Sequence, residues 1–212
     1  MFRRAEEDVR YLVNRDYPKK SAVRFVSDHY RLPEAQRHIL SRIVVPTELA
    51  FSRRSKLRPL ESMLNKSVYI DGYNVLISVE ALLAGKKLYL SDDGLLRDSQ
   101  GIFRKYRISG LTEKALCEIA EILAFSDPAW IEILFDQQIG MSGLLASDAR
   151  KILAKYGLNG TARTFKDVDH QLKIVEGIVA TSDGNIIDAS RNVVDLPAEV
   201  AKKLGLQSLI TF

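Results

Sequence analysis

The chain has 212 residues, enough for one full core and a small accessory domain. Apolar residues make up 46% and charged residues 27%, an ordinary globular balance, and no apolar run approaches the roughly 20 residues that a membrane span needs. The net charge of +4 conceals a split: residues 1–66 carry 15 Lys and Arg against 8 Asp and Glu, whereas residues 67–212 carry 16 against 19, so a basic module precedes a mildly acidic one.

The opening MFRRAEEDVR has no apolar stretch behind its charges, so no signal peptide is expected. Residues 3–14 read as a short helix with Val9, Leu12 and Val13 on its apolar stripe. Tyr17-Pro18 breaks it, and Ser21 stands where a cap for the helix AVRFVSDHY belongs. After the turn 30–33, Pro33 opens a third helix, EAQRHILSRIV. Two helices joined by a short turn, the second carrying Arg37, His38 and Arg42, resemble a helix-turn-helix. Residues 52–59, with four basic side chains, two serines and a proline, read as an exposed linker. The expected division is a basic helical domain over 1–58 and an α/β domain over 66–212.

Beyond the linker the pattern alternates. Strands are expected at 67–71, 87–91, 130–135, 161–165, 177–181, 193–194 and 207–211. Helices are expected at 75–84, 113–125 (capped by Thr112), 142–157, 168–175, 185–190 and 197–204. Such alternation implies a mostly parallel sheet covered on both faces, a three-layer α/β/α domain. Cys117 is the single cysteine, which rules out an intrachain disulfide or a cysteine zinc site and fits a cytoplasmic protein.

Three of these strands end in aspartate: VYID at Asp71, IEILFD at Asp136 and GIVATSD at Asp183. In an open parallel sheet the C-terminal strand ends share one edge, where ligands bind. Carboxylates gathered there repel one another, and a divalent cation removes that cost. Hard oxygen donors without nearby histidine or cysteine point to Mg²⁺ or Mn²⁺, which can activate water against a phosphodiester and neutralise the leaving oxygen. Singly, each aspartate also reads as a turn or cap residue. The polar stretch 90–98 has two readings. It is either an insertion bordering the site, with Asp93 as an extra ligand and Arg97 on a phosphate, or a solvated turn with an internal Arg–Asp pair. Glu80 could face the site or the solvent. His29, His38 and His170 build no common site, and neither a phosphate-binding loop nor a nucleophile elbow is present.

The run Asp71-Gly72-Tyr73-Asn74-Val75-Leu76 behind the strand VYI closely resembles the opening motif of the NYN branch of the PIN-like nuclease superfamily. Ala180-Thr181-Ser182-Asp183 resembles the late strand motif of that superfamily, and Phe135-Asp136 matches its middle acidic strand end. The arrangement is also similar to a prokaryotic family that joins a small basic helical domain to a PIN-like domain. The resemblance implies a metal-dependent ribonuclease with Asp71, Asp136 and Asp183 as metal ligands. Asn74 would orient a bound water or a phosphate, although as the opening residue of a helix it also reads as a cap. Thr181 and Ser182 would contact a phosphate or fix Asp183. PIN-like proteins are often dimers, so a homodimer is compatible. Many relatives carry another acid shortly after the last aspartate; here Gly184 and Asn185 follow, and the next acid is Asp188. That departure keeps a second reading open, an inactive PIN-like module that binds nucleic acid or serves as an adaptor. In the nuclease reading the basic domain, through Arg37 and Arg42, would hold the phosphate backbone of RNA. In a third reading its helices would contact duplex DNA.

Overall fold

The structure, a computed structural model, describes residues 1–98 and 106–211. Four helices come first: α1 (Phe2–Val13), α2 (Lys19–His29), α3 (Glu34–Ile43) and α4 (Thr47–Arg54). Ala5, Val9 and Val13 recur at helical spacing on α1 and bury against Ala22, Val23 and Val26 of α2 and Ile39, Leu40 and Ile43 of α3. Proline sets the starts: Pro18, Pro33 and Pro46 each occupy the position before a helix. Ser21 is therefore not a cap, because α2 already begins at Lys19 behind Pro18. The expected linker at 52–59 is also corrected. Its first half is the end of α4, and Arg53 is buried there, because its charge is met by acids remote in sequence.

The second part holds a parallel five-stranded sheet of β1 (Ser67–Asp71), β4 (Trp130–Asp136), β5 (Gly160–Phe165), β6 (Ile178–Ala180) and β7 (Asn192–Val194). Their order is β5-β4-β1-β6-β7, so the chain winds outward from β1 in one direction and then returns to its other side. A separate three-stranded sheet joins β2 (Leu88–Leu90), β3 (Leu96–Asp98) and β8 (Ile210–Thr211) in the order β3-β2-β8. The helices are α5 (Gly72–Leu83), α6 (Thr112–Ser126), α7 (Ser142–Lys155), α8 (Val168–Ile174), α9 (Gly184–Ala189) and α10 (Leu196–Lys203). Side chains of α5, α6, α7 and α10 share one large core with Val68, Ile70, Ile131, Ile133, Phe135 and Ala180 of the sheet. On the opposite face, Val168, Leu172 and Ile186 of α8 and α9 pack on Leu134 and Val179. The expected three-layer α/β/α arrangement behind a helical segment is present. Three local expectations change: α5 begins at Gly72 rather than Val75, β3 lies in the stretch read as a turn, and 207–209 form a 3₁₀ turn rather than strand.

The two parts are locked together. The turn 91–94 between β2 and β3 plugs into the helical part: the Asp92 N–H donates to the Ile43 carbonyl at 2.9 Å, and the Ser91 hydroxyl donates to the same oxygen at 2.8 Å. The Asp92 carboxylate accepts from Arg10 Nε and Nη2 at 3.1 and 2.8 Å and from the Val45 N–H at 3.0 Å, and its carbonyl accepts from Arg54. Asp92→Ala is expected to lower the unfolding free energy by about 2 kcal/mol, since it strips a half-buried guanidinium and a buried amide of their acceptor; urea denaturation measures it. Residues 56–58 add to the sheet directly: the Arg58 N–H donates to the Val193 carbonyl at 2.8 Å and the Val193 N–H to the Lys56 carbonyl at 2.9 Å, with Leu57 bridged in parallel to Val193.

Candidate functional site

The crossover in strand order lies between β1 and β6, and the crevice outside their C-terminal ends is where such sheets bind ligands. Side chains alternate along a strand, so with Val68 and Ile70 facing the α5–α7 side, Asp71 falls with Tyr69 on the α8–α9 side. Asp136 shares the parity of Leu134 and falls on the same face. Asp183 follows β6 and caps α9, accepting from the amides of Asn185 at 2.8 Å and Ile186 at 3.3 Å.

One hydroxyl joins two of these acids. Thr181 Oγ1 donates to Asp71 Oδ2 at 2.8 Å and accepts from the Asp183 N–H at 3.1 Å. Beside it, Asn74 Oδ1 accepts both the N–H and the hydroxyl of Ser182, each at 2.9 Å. Asn74 thus ties α5 to the end of β6 and is not a helix cap. Burial pushes the Asp71 carboxyl up to about 7; the Thr181 hydroxyl opposes the shift, and the charges of Asp183 and Asp169 add to it. Asp169, in the first turn of α8, is raised by burial and then by Asp183, with Asp136 contributing. The acids therefore lie within one another's fields: Asp71 feels Asp183 and Asp169, and Asp169 feels Asp183 and Asp136. Among the described residues no three His, Cys, Asp or Glu side chains are gathered closely enough to enclose a metal ion.

Arg42 lies at the end of α3 in the helical part. It pairs with Asp98 at 3.3 Å, and its Nε is buried without a hydrogen-bond partner among the described residues. Burial lowers its proton affinity, whereas Asp98, Asp183 and Asp71 raise it, so its charge lies within the field of the acids. Lys19, half-buried at the start of α2, is brought down to about 8 by burial and by the nearby charges of Arg97 and Arg53.

Other expected site residues are engaged elsewhere. Asp93 is fully buried and accepts from Arg97 Nη1 and Nη2, both at 2.7 Å, and from Arg53 Nη1 at 3.1 Å. Two guanidinium groups neutralise it, so it is an internal counter-ion instead of a cation ligand. Arg97 is consumed by that pair and by the Ser182 carbonyl at 3.1 Å, so the Arg–Asp reading of 90–98 is the right one, with the pair buried instead of solvated. Arg37 bonds within the helical part, to the Leu32 carbonyl at 2.9 Å and Asp28 Oδ1 at 2.5 Å. Asp188 does not supplement the acids: it takes Arg53 side-on at 2.7 and 2.8 Å. Glu80 accepts from Tyr106, in the segment before α6, and from Thr112, the first residue of α6, so Thr112 serves as its partner instead of as a side-chain cap. Asp169, Lys19 and Arg53 escaped the sequence reading. A first-turn acid in a helix entering from a strand end was the available signal for Asp169.

The family model described as "Domain of unknown function (DUF5616)" matches residues 60–199. The chain belongs to the DUF5616 family. A second model, "Protein of unknown function (DUF434)", matches residues 1–56. A relative from Methanocaldococcus jannaschii, named "Uncharacterized protein MJ0935", is 38% identical over 204 residues, covering 95% of this DUF5616 chain and 97% of the relative. No solved structure matches it. Among its described residues, no helix is long and apolar enough to cross a membrane.

Proposed function

We propose that the chain is a divalent-cation-dependent phosphodiesterase acting on RNA. The observation that carries the reading is the Thr181 hydroxyl, which couples Asp71 to the Asp183 backbone at the crossover point of a parallel sheet. The resemblance of 71–76 and 180–183 to PIN-like motifs supports it. The donors fit Mg²⁺ or Mn²⁺, because such ions need only one or two carboxylates and take water or substrate oxygens for the rest. Asp71 and Asp183 would hold the cation, with the charges of Asp169 and Asp136 adding to its field. When bound, the cation would supply charge neutralisation and water activation. The chain's own groups do the remaining work. Thr181 keeps Asp71 and Asp183 in one geometry, and the clasp between Asn74 and Ser182 keeps α5 against the end of β6. Arg42, whose Nε is unsatisfied among the described residues and whose charge lies in the field of Asp183 and Asp71, is suited to a phosphate beside the acids.

The test is labelled single-stranded and structured RNA incubated with Mg²⁺, with Mn²⁺ and with chelator. Cutting is expected only with metal and should fall by about a hundredfold or more in Asp71→Asn. Cutting that survives chelator or this substitution would defeat the mechanism. One observation favours a second reading, a nucleic-acid-binding module without turnover: Asp188 is bound to Arg53 and leaves the acid set short. Metal-independent RNA binding with no cleavage would select it.

A further inference from the structure

We infer that the N-terminal helices are part of the scaffold of the acid site, and that Arg53 of α4 is the positioning residue that holds α9 and the turn 181–184 in place. Two sets of contacts carry this. First, Arg53 lies along α9. Its Nε and Nη2 donate to the two oxygens of Asp188 at 2.7 and 2.8 Å, near the end of the helix. At the other end its guanidinium lies over Gly184, where a Cβ would stand 2.5 Å from Nη2 and 2.8 Å from Nη1. One side chain thus grips both ends of the short helix that Asp183 caps.

Second, a buried relay runs from Arg53 to the site. Arg53 Nη1 donates to Asp93, Asp93 takes Arg97 end-on through both Nη atoms, and Arg97 Nε donates to the Ser182 carbonyl at 3.1 Å. Ser182 in turn gives its N–H and hydroxyl to Asn74. Arg53, Asp93 and Arg97 are all buried. Burying such charges is a weak source of stability, but bidentate guanidinium–carboxylate pairs fix geometry, and geometry is what the 181–184 turn needs. The arrangement also accounts for two departures from the PIN-like pattern. Position 184 has no side chain because the guanidinium fills that space, and the acid at 188 serves Arg53. The mechanical coupling stands on these contacts alone; its effect on turnover rests on the hydrolytic reading.

The experiment compares amide hydrogen exchange at residues 182–187 in the full chain for wild type, Arg53→Gln, Arg53→Lys and Arg10→Gln. Arg10→Gln is the control, because Arg10 pairs with Asp92 across the same interface but has no bond leading to Ser182. Arg53→Gln is expected to speed exchange at Ser182, Asn185 and Ile186 by about tenfold, with Arg53→Lys intermediate, since one ammonium cannot serve Asp188 and Asp93 together. Arg10→Gln should leave these amides within about twofold of wild type. Equal loosening by the Arg10 and Arg53 variants, or wild-type exchange in a folded Arg53 variant, overturns the coupling. If Arg53→Gln does not fold, Arg53→Lys decides by the same criterion. In Mn²⁺-dependent RNA cleavage, Arg53→Gln should lower kcat by about tenfold with KM unchanged. Undiminished kcat would remove the catalytic half of the proposal. A wild-type chain that cuts no RNA, while the exchange pattern holds, would sink the hydrolytic reading and leave the coupling intact.

Discussion

Asp71→Asn is expected to make the metal-free protein more stable at pH 8 while removing the metal-dependent cleavage proposed above. Asp71 is buried, and that burial raises its carboxyl from 3.8 to about 7. A carboxyl raised in the folded state favours the protonated form. Its contribution to stability is therefore fully present below about pH 4, where both states are protonated, and is lost as pH rises through 7. A shift of this size corresponds to about 4 kcal/mol across the window, an upper figure because the native state can relax around the charge. The asparagine variant carries no charge and should lack this part of the decline. Its melting temperature should match wild type at pH ~3.5 and exceed it by roughly 5 °C at pH 8. Added Mg²⁺ should stabilise wild type at pH 8 and leave the variant unmoved. Thermal melts across pH, with and without metal, decide this. Parallel pH profiles for the two proteins would mean that Asp71 does not carry a buried charge at neutral pH.

Gly72→Ala is expected to lower stability by about 3 kcal/mol, at the upper end of what overpacking costs. A Cβ there would meet Phe135 Cδ1 and Cε1 at 2.5 Å and the Leu134 carbonyl oxygen at 2.8 Å. Neither neighbour has room to retreat. Phe135 is fully buried with Tyr73 edge-on at 5.2 Å, and Leu134 is paired with Asp71 and Arg163 in the sheet. The strain falls on the junction of β1 and α5 that sets Asp71 and Asn74, so any cleavage should fall together with stability. Chemical denaturation measures the effect, and an unchanged midpoint would mean the junction is looser than these contacts imply.

The strand ends were legible because each couples a β-rich run to an aspartate, and the alternation of elements implied the layered fold. The junction at Gly72 read as an ordinary turn pair, because the ring that forbids a side chain there lies more than sixty residues away at Phe135. Arg53 was lost for a related reason. In SRRSKLRP it looks like one more solvated cation, whereas its partners Asp93 and Asp188 stand 40 and 135 residues on. Asp169 looks like any acid opening a helix. Only the strand order, which brings α8 over the end of β1, gives it a place beside Asp183. Asp93 and Arg97 mislead in the opposite sense: their polarity reads as a binding surface, yet they satisfy one another in the interior.

Residues 56–58 run along β7 and hydrogen-bond to Val193 from both sides. That segment shields one margin of the large sheet with the chain's own backbone, so a foreign strand finds no open ladder there. The open ladder lies at the opposite margin, β5, whose residues pair only with β4 among the described strands. There Arg163 is held by Glu132 at 3.6 Å, a charge pair on the margin where a self-associating fragment would have to dock.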